Sequence, residues 1–138
     1  MDLLKLENQL CFPLYVASKE IVKKYGPFLK ELDLTYTQYI VMMVLWEKKE
    51  ISAKELGKIL YLDSGTITPV IKRLEKYGLV TRERSKEDER SLVITITKAG
   101  EDLKIKAKDI PNKISDCINI SQDEAVLLYK LLYKILDE

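Results

Sequence analysis

The sequence predicts a mainly α fold with a small β-hairpin wing: a winged helix-turn-helix over about 35–97, flanked by dimerisation helices over about 3–26 and 98–138. Three observations predict it. Helix-start signals recur along the middle of the chain, two alternating β-type runs separated by a charged turn follow them, and broad apolar helical faces stand at both chain ends. Residues 1–138 read as a single domain, a length that one core can serve.

Over 3–25, Leu3, Leu6, Leu10, Leu14 and Ile21 form one helical stripe, with Leu4, Cys11, Tyr15, Val22 and Tyr25 beside it. That band is too broad for a helix packing on one neighbour. Thr35-x-x-Gln38, Ser52-x-x-Glu55 and Ser121-x-x-Glu124 fit capping boxes, in which two side chains satisfy unpaired amides reciprocally. Leu34 with Tyr39, and Ile51 with Leu56, occupy the flanking staple positions. Asp63 is a further N-cap, with Leu62 and Ile67 placed to staple. Helices are therefore predicted to begin near 36, 53, 64 and 122, the third of them stopping at Gly78. Pro69 falls sixth in the helix capped by Asp63, where a proline costs about 3 kcal/mol. Either that helix is distorted there or it starts nearer Thr66.

Val80, Arg82 and Arg84 alternate on one predicted strand and Leu92, Ile94 and Ile96 on the other, with Ser85 to Arg90 as a solvated tip. A helix over about 98–115, ambiguous near Pro111, leads to a last one over 122–136. There Ala125, Leu128, Leu132 and Ile135 form a stripe while Val126, Leu127, Leu131 and Leu136 spread round the cylinder. Apolar faces at both termini predict self-association, most simply as a two-fold homodimer.

Composition narrows the function. At 46% hydrophobic and 33% charged residues the chain is globular rather than disordered. Its net charge of +1 is low for a nucleic-acid binder, but residues 64–84 carry five basic side chains against two acids, enough for a basic face. With no histidine, Ser-His-Asp and Cys-His catalysis and imidazole zinc sites are excluded. No glycine-rich nucleotide motif occurs, and Cys11 and Cys117 are too far apart for a metal knuckle. No cofactor or metal is expected. The N-terminal MDLLKLENQL is broken by charge, unlike a signal peptide, and no run approaches the ~20 apolar residues of a membrane span. A cytoplasmic protein with no membrane partner is expected.

The order of helix, capped second helix and charged hairpin points to double-stranded DNA, read as a pseudo-palindromic operator by a dimer. Ser64, Gly65, Thr66 and Thr68 crowd the first turns of the reading helix, where short hydroxyls reach phosphates or base edges and glycine admits close approach. Lys72 and Arg73 follow about a turn later, and the Arg73 fork suits guanine. Arg90 at the wing tip is a minor-groove candidate, with Asp88 to orient its guanidinium. Each of these charges taken singly also reads as an ordinary solvated side chain; their ordered combination favours DNA.

LDSGTITPVIKRLEKYGLVTRERSKEDERSLVITIT resembles the MarR family of bacterial winged-helix regulators, and the likeness extends over essentially the whole chain. The D-x-R of Asp88 and Arg90 matches that family's wing signature. LENQLCFPLY together with LTYTQYIVMMVLWE resembles the peroxide-sensing OhrR branch and its SarZ-like relatives. The resemblance implies an obligate dimer that represses promoters until a reactive cysteine is oxidised.

Read from the residues alone, Cys11 on an apolar stripe is a small core side chain. Tyr15, four residues on, can neighbour it, whereas Tyr25 lies ~21 Å further along a helix of 1.5 Å rise and can meet it only from another subunit or after a sharp bend. Tyr36 can reach the same place. The OhrR-like pattern uses a cysteine and two tyrosines that match Cys11, Tyr25 and Tyr36. It implies that the phenols donate hydrogen bonds to a thiolate, which an oxidant as effector converts to sulfenic acid. Pro13 departs from the pattern and is expected to bend the helix beside the sulfur. In two-cysteine relatives a distal cysteine resolves the sulfenic acid as an intersubunit disulfide. Cys117, expected in a turn, is the candidate for that role; an inert thiol, or resolution by a small thiol or sulfenamide, are the alternatives. Two rival functions remain open: control by a small aromatic ligand among Tyr36, Tyr39, Met42, Met43 and Trp46, and a thiol peroxidase with Cys11 as nucleophile, which leaves the wing unexplained.

Overall fold

The computed structural model, which describes residues 1–88 and 90–137, starts helices where the capping side chains stand. A 3-10 turn (Leu6–Asn8) precedes α1 (Cys11–Lys30) and α2 (Tyr36–Lys48); β1 (Glu50–Ser52) leads into α3 (Ala53–Leu60) and α4 (Ser64–Lys76). The hairpin of β2 (Val80–Arg84) and β3 (Leu92–Ile96) follows, then α5 (Lys98–Ala107), α6 (Ile110–Cys117) and α7 (Gln122–Leu136). The Thr35 hydroxyl accepts from the Gln38 N–H at 3.2 Å and the Gln38 side chain accepts from the Thr35 N–H at 2.9 Å. Ser121 and Glu124 close the same reciprocal pair, whereas Ser52 makes only the first half, accepting from the Glu55 N–H at 3.1 Å. Gly78, at φ 77°, turns the chain out of α4.

Centrally placed α2 buries Val41, Met42 and Leu45 completely, against Leu56 of α3, Ile67, Ile71 and Leu74 of α4, and Val80 and Ile94 of the sheet. The sheet runs β1-β3-β2, all antiparallel, with Ile51 opposite Ile94 and Val80 opposite Ile96. β1 is the element that periodicity misses. Three residues are too short to alternate visibly, yet pairing on the open edge of β3 buries Ile51. Trp46 ties the core to α5, its indole N–H donating to the Gly100 carbonyl at 2.8 Å.

Three expectations need correction. The first helix does not run from 3: residues 1–9 are held in an irregular arrangement by Asn8 and Gln9 side-chain amides on the carbonyls of Asp2, Leu3 and Lys5, and α1 begins at Cys11. Pro13 explains the boundary and does not bend the helix. It stands third in α1, where its missing N–H would be unpaired anyway, and a helix passing upstream would set its ring against the Gln9 carbonyl. Second, the 98–115 segment is two helices, parted before Ile110 because Pro111 cannot donate to Ala107. Third, Cys117 is the last residue of α6 rather than part of a turn. Of the two readings left open by Pro69, α4 keeps the start near 64 that its cap predicts: Asp63 accepts from the Thr66 N–H at 2.8 Å, and Pro69 sits inside the helix.

The apolar ends stay uncovered in one chain. Leu10 is 77% exposed and Leu127 58%, and Leu6, Leu131 and Ile135 are likewise in the open.

Candidate nucleic-acid interface and thiol site

The direction in which α4 faces is set by its core side. Ile67, Ile71 and Leu74 point inward, so the ~100° step of an α-helix places Gly65, Pro69, Lys72 and Lys76 on the opposite, outward stripe. Ser64 opens the first turn, and the Thr66 N–H is taken by the Asp63 cap. Thr68 is half-buried on the flank that turns toward α3, whereas Arg73 lies on the other flank, in a cleft with Lys30, Thr35, Gln38 and Tyr77. The outward stripe therefore carries Lys72 with Lys76, a residue the sequence reading counted as charge without assigning to the interface. The signal was available: Lys76 is four positions after Lys72.

At the wing, Asp88 holds backbone rather than guanidinium. Its carboxylate accepts from the Arg90 N–H at 3.0 Å and from the Ser91 hydroxyl at 3.4 Å, and no Asp88–Arg90 ion pair occurs among the described residues. The expected orienting of the Arg90 side chain is replaced by orienting of its backbone. Ser85 N–H to Ser91 carbonyl, at 2.8 Å, closes the hairpin below this tip. The wing is braced to α4 by Arg82, whose Nε lies 3.0 Å from a Glu75 carboxylate oxygen, with both side chains partly screened from water.

Cys11 occupies the first position of α1 and is exposed, not a core side chain. Tyr15, one turn on, is 59% exposed, with Lys19 Nζ 5.0 Å from its ring centroid. Tyr25 and Tyr36 meet edge to face at the other end of α1, ring centroids 5.0 Å apart at 66°. Tyr39 lies 5.7 Å from Tyr25 and continues the stack to Trp46 at 6.3 Å. Burial first, then the neighbouring Tyr36 and Tyr39, pushes the Tyr25 phenol up to about 12. Burial also raises Tyr36 and Tyr39 above the ordinary phenol value. All three are neutral hydrogen-bond donors at physiological pH. The fourteen-residue interval of unbroken helix between Cys11 and Tyr25 spans about 21 Å, so a single chain does not bring the sulfur to the phenols. Cys117, at the end of α6, is exposed and free. Among the described residues no cluster of His, Cys, Asp and Glu suits a metal, and no helix is long and apolar enough to cross a membrane.

Comparison with known proteins agrees with this layout. The family described as transcriptional regulator SarA/Rot matches residues 23–107. The organic hydroperoxide resistance transcriptional regulator of Bacillus subtilis is 48% identical over 136 residues, covering 99% of this chain and 92% of the relative. The HTH-type transcriptional regulator SarZ of Staphylococcus haemolyticus is 51% identical over 119 residues, covering 86% and 81%. Among solved structures, AbfR (a Staphylococcus epidermidis protein) in its reduced form bound to DNA superposes with a TM-score of 0.79 at 37% identity, covering 96% of this chain and 92% of that one. Its disulfide form superposes less closely, with a TM-score of 0.66 at 36% identity and coverages of 96% and 90%. The relatives are regulators rather than enzymes, which removes the thiol peroxidase alternative. With its winged helix-turn-helix and its match along nearly the whole chain, the protein belongs to the SarA/Rot transcriptional regulators, on the branch of the organic hydroperoxide resistance regulator and SarZ.

Proposed function

We propose that this chain is a cytoplasmic homodimeric repressor that binds a pseudo-palindromic DNA operator through α4 and the wing and releases it when Cys11 is oxidised by an organic hydroperoxide. One observation carries the redox half: an exposed thiol at one end of α1 and a pair of neutral phenols, Tyr25 and Tyr36, at the other. In a two-fold dimer whose α1 helices cross antiparallel, the phenols of one protomer reach the sulfur of its partner, and the uncovered Leu6, Leu10, Leu127 and Leu131 supply the apolar surface that holds the pair together. In that dimer the phenols are the hydrogen-bond donors that face the sulfur.

The thiolate attacks the outer peroxide oxygen, the O–O bond breaks, and the alkoxide leaves as an alcohol after taking up a proton, so sulfur is oxidised to sulfenic acid and the peroxide reduced. Cys117 is the candidate resolving thiol: its attack on the sulfenic acid releases water and forms a disulfide. That AbfR has been solved in a disulfide form supports this route. A bulkier polar or cross-linked sulfur inside the dimer seam disfavours the spacing of the two α4 helices, roughly 34 Å for half-sites one turn apart, and DNA is released.

Hydroperoxide should abolish DNA binding by the wild type and leave Cys11→Ser bound; equal sensitivity of the two proteins refutes the role of Cys11. Control by a small aromatic ligand has one observation behind it, a cleft of about 360 Å³ in which Tyr39, Met43 and Trp46 face Lys104 and Lys108. Met42, fully buried in the core, takes no part in that cleft. A thermal shift with phenolic acids but none with oxidant would select it.

A further inference from the structure

We infer that the cleft between α3 and α4 is a DNA-backbone phosphate site whose cations are Lys54 and Lys58. The inference rests on the DNA-binding reading above and assigns to it residues outside the reading helix and wing. Lys54 and Lys58 are four apart on α3, opposite the side that buries Leu56, so both stand on one exposed wall. They line a cleft of about 440 Å³ whose far wall carries the hydroxyls of Ser64 and Thr68. No carboxylate lines it, and among the described residues neither lysine enters an ion pair, whereas Lys49 and Lys98 are tied to Glu101 and Asp102.

The two walls are held at a set spacing. A methyl group on Gly57 would lie 2.7 Å from the Leu62 carbonyl oxygen, so α3 and the turn into α4 touch backbone to backbone there. Thr68 precedes Lys72 by one turn, which makes the cleft continuous with the outward stripe of α4. When that stripe enters a major groove, the strand bordering the groove runs over this cleft. Two ammonium groups and two hydroxyls then meet consecutive phosphates, which adds affinity and register but no base discrimination.

The salt dependence of binding tests this. The probe is a duplex enriched by the wild-type protein from a random-sequence pool. Each neutralised phosphate contributes about 0.9 to the slope of log K against log salt. A dimer presents two clefts, hence four lysines, so Lys54→Ala/Lys58→Ala should flatten the slope by up to about 3.6. Between 50 and 200 mM salt the wild type then weakens by up to about 150-fold more than the variant. The variant should still enrich the same sequence, and Lys104→Ala/Lys108→Ala, the same charge removed at the α2–α5 cleft, should leave the slope within about 1 of wild type. Lys54→Gln/Lys58→Gln serves if the alanine pair does not fold. A wild-type slope in a folded double variant overturns the inference while leaving DNA binding intact. An equal flattening in the Lys104/Lys108 control overturns it too, and failure of the wild type to enrich any duplex brings down the DNA-binding reading itself.

Discussion

Gly100→Ala adds one methyl group where α5 rests on the exit of α4, and the surroundings leave it no room. The new Cβ would lie 2.3 Å from the Leu79 carbonyl oxygen and 2.7 Å from Ile96 Cγ1, where ordinary contact begins at 3.4 Å. Two backbones must part by about 1 Å, which places the cost in the overpacking range of about 1–3 kcal/mol. The displacement also loads two hydrogen bonds that converge there, Thr97 N–H to the Leu79 carbonyl at 3.0 Å and the Trp46 indole to the Gly100 carbonyl at 2.8 Å. Each contributes about 1 kcal/mol, while alanine's better helix propensity returns up to about 1 kcal/mol. The net loss is about 2–3 kcal/mol, equivalent to a Tm lowered by about 7–10 °C in a chain of this size. Thermal unfolding followed by circular dichroism at one fixed protein concentration measures it, since dimerisation makes Tm depend on concentration. Gly65→Ala is the control. Its nearest neighbour, Asp63 Oδ1 at 3.5 Å, is in ordinary contact, so stability should stay level or rise by up to about 1 kcal/mol while DNA binding weakens. Equal stability of wild type and Gly100→Ala, or shifts of the same sign in both variants, refutes the reasoning.

Three further outcomes are expected. Arg82→Gln removes the brace between wing and reading helix. Because the pair is partly exposed, stability should fall by only about 0.5–1 kcal/mol, while affinity for DNA drops and is restored by the exchanged pair Glu75→Arg/Arg82→Glu. The Asp63 carboxyl is held below its ordinary 3.8 by hydrogen bonds from Thr66, so its contribution is complete above about pH 4 and disappears as the pH falls through the lower folded value. Asp63→Asn, which keeps the cap, should remove that part of the acid destabilisation in denaturant melts taken below pH 4. The Tyr25 phenol, raised from 10.0 to about 12, contributes stability that is whole below pH 10 and lost as the pH climbs toward 12. Tyr25→Phe should lessen that alkaline loss, and phenolate absorbance should lose its last-titrating component.

The starts of α2, α3, α4 and α7 were legible because a cap is a local device: a hydroxyl or carboxylate meets an amide three residues on, and nothing distant is needed. The hairpin was legible from alternation, and the candidate sensor residues from a motif whose members are matched one by one. What local pattern could not decide was where helices yield to proline and which side of each faces outward. The stripe over 3–25 was continuous in hydrophobicity, yet Pro13 and the Asn8 and Gln9 amides start α1 at Cys11 and leave the thiol exposed at a helix end. β1 exists only because β3 has a free edge for Ile51 to close. Arg73 looked the better reader by side-chain chemistry, but the burial of Ile67, Ile71 and Leu74 turns it to the flank and Lys72 outward. By itself the sequence determined the family of shapes and the chemical groups present. Tertiary packing decided which groups share a surface, because the facing of a helix is set by the apolar side chains on its opposite side and by the elements that cover them.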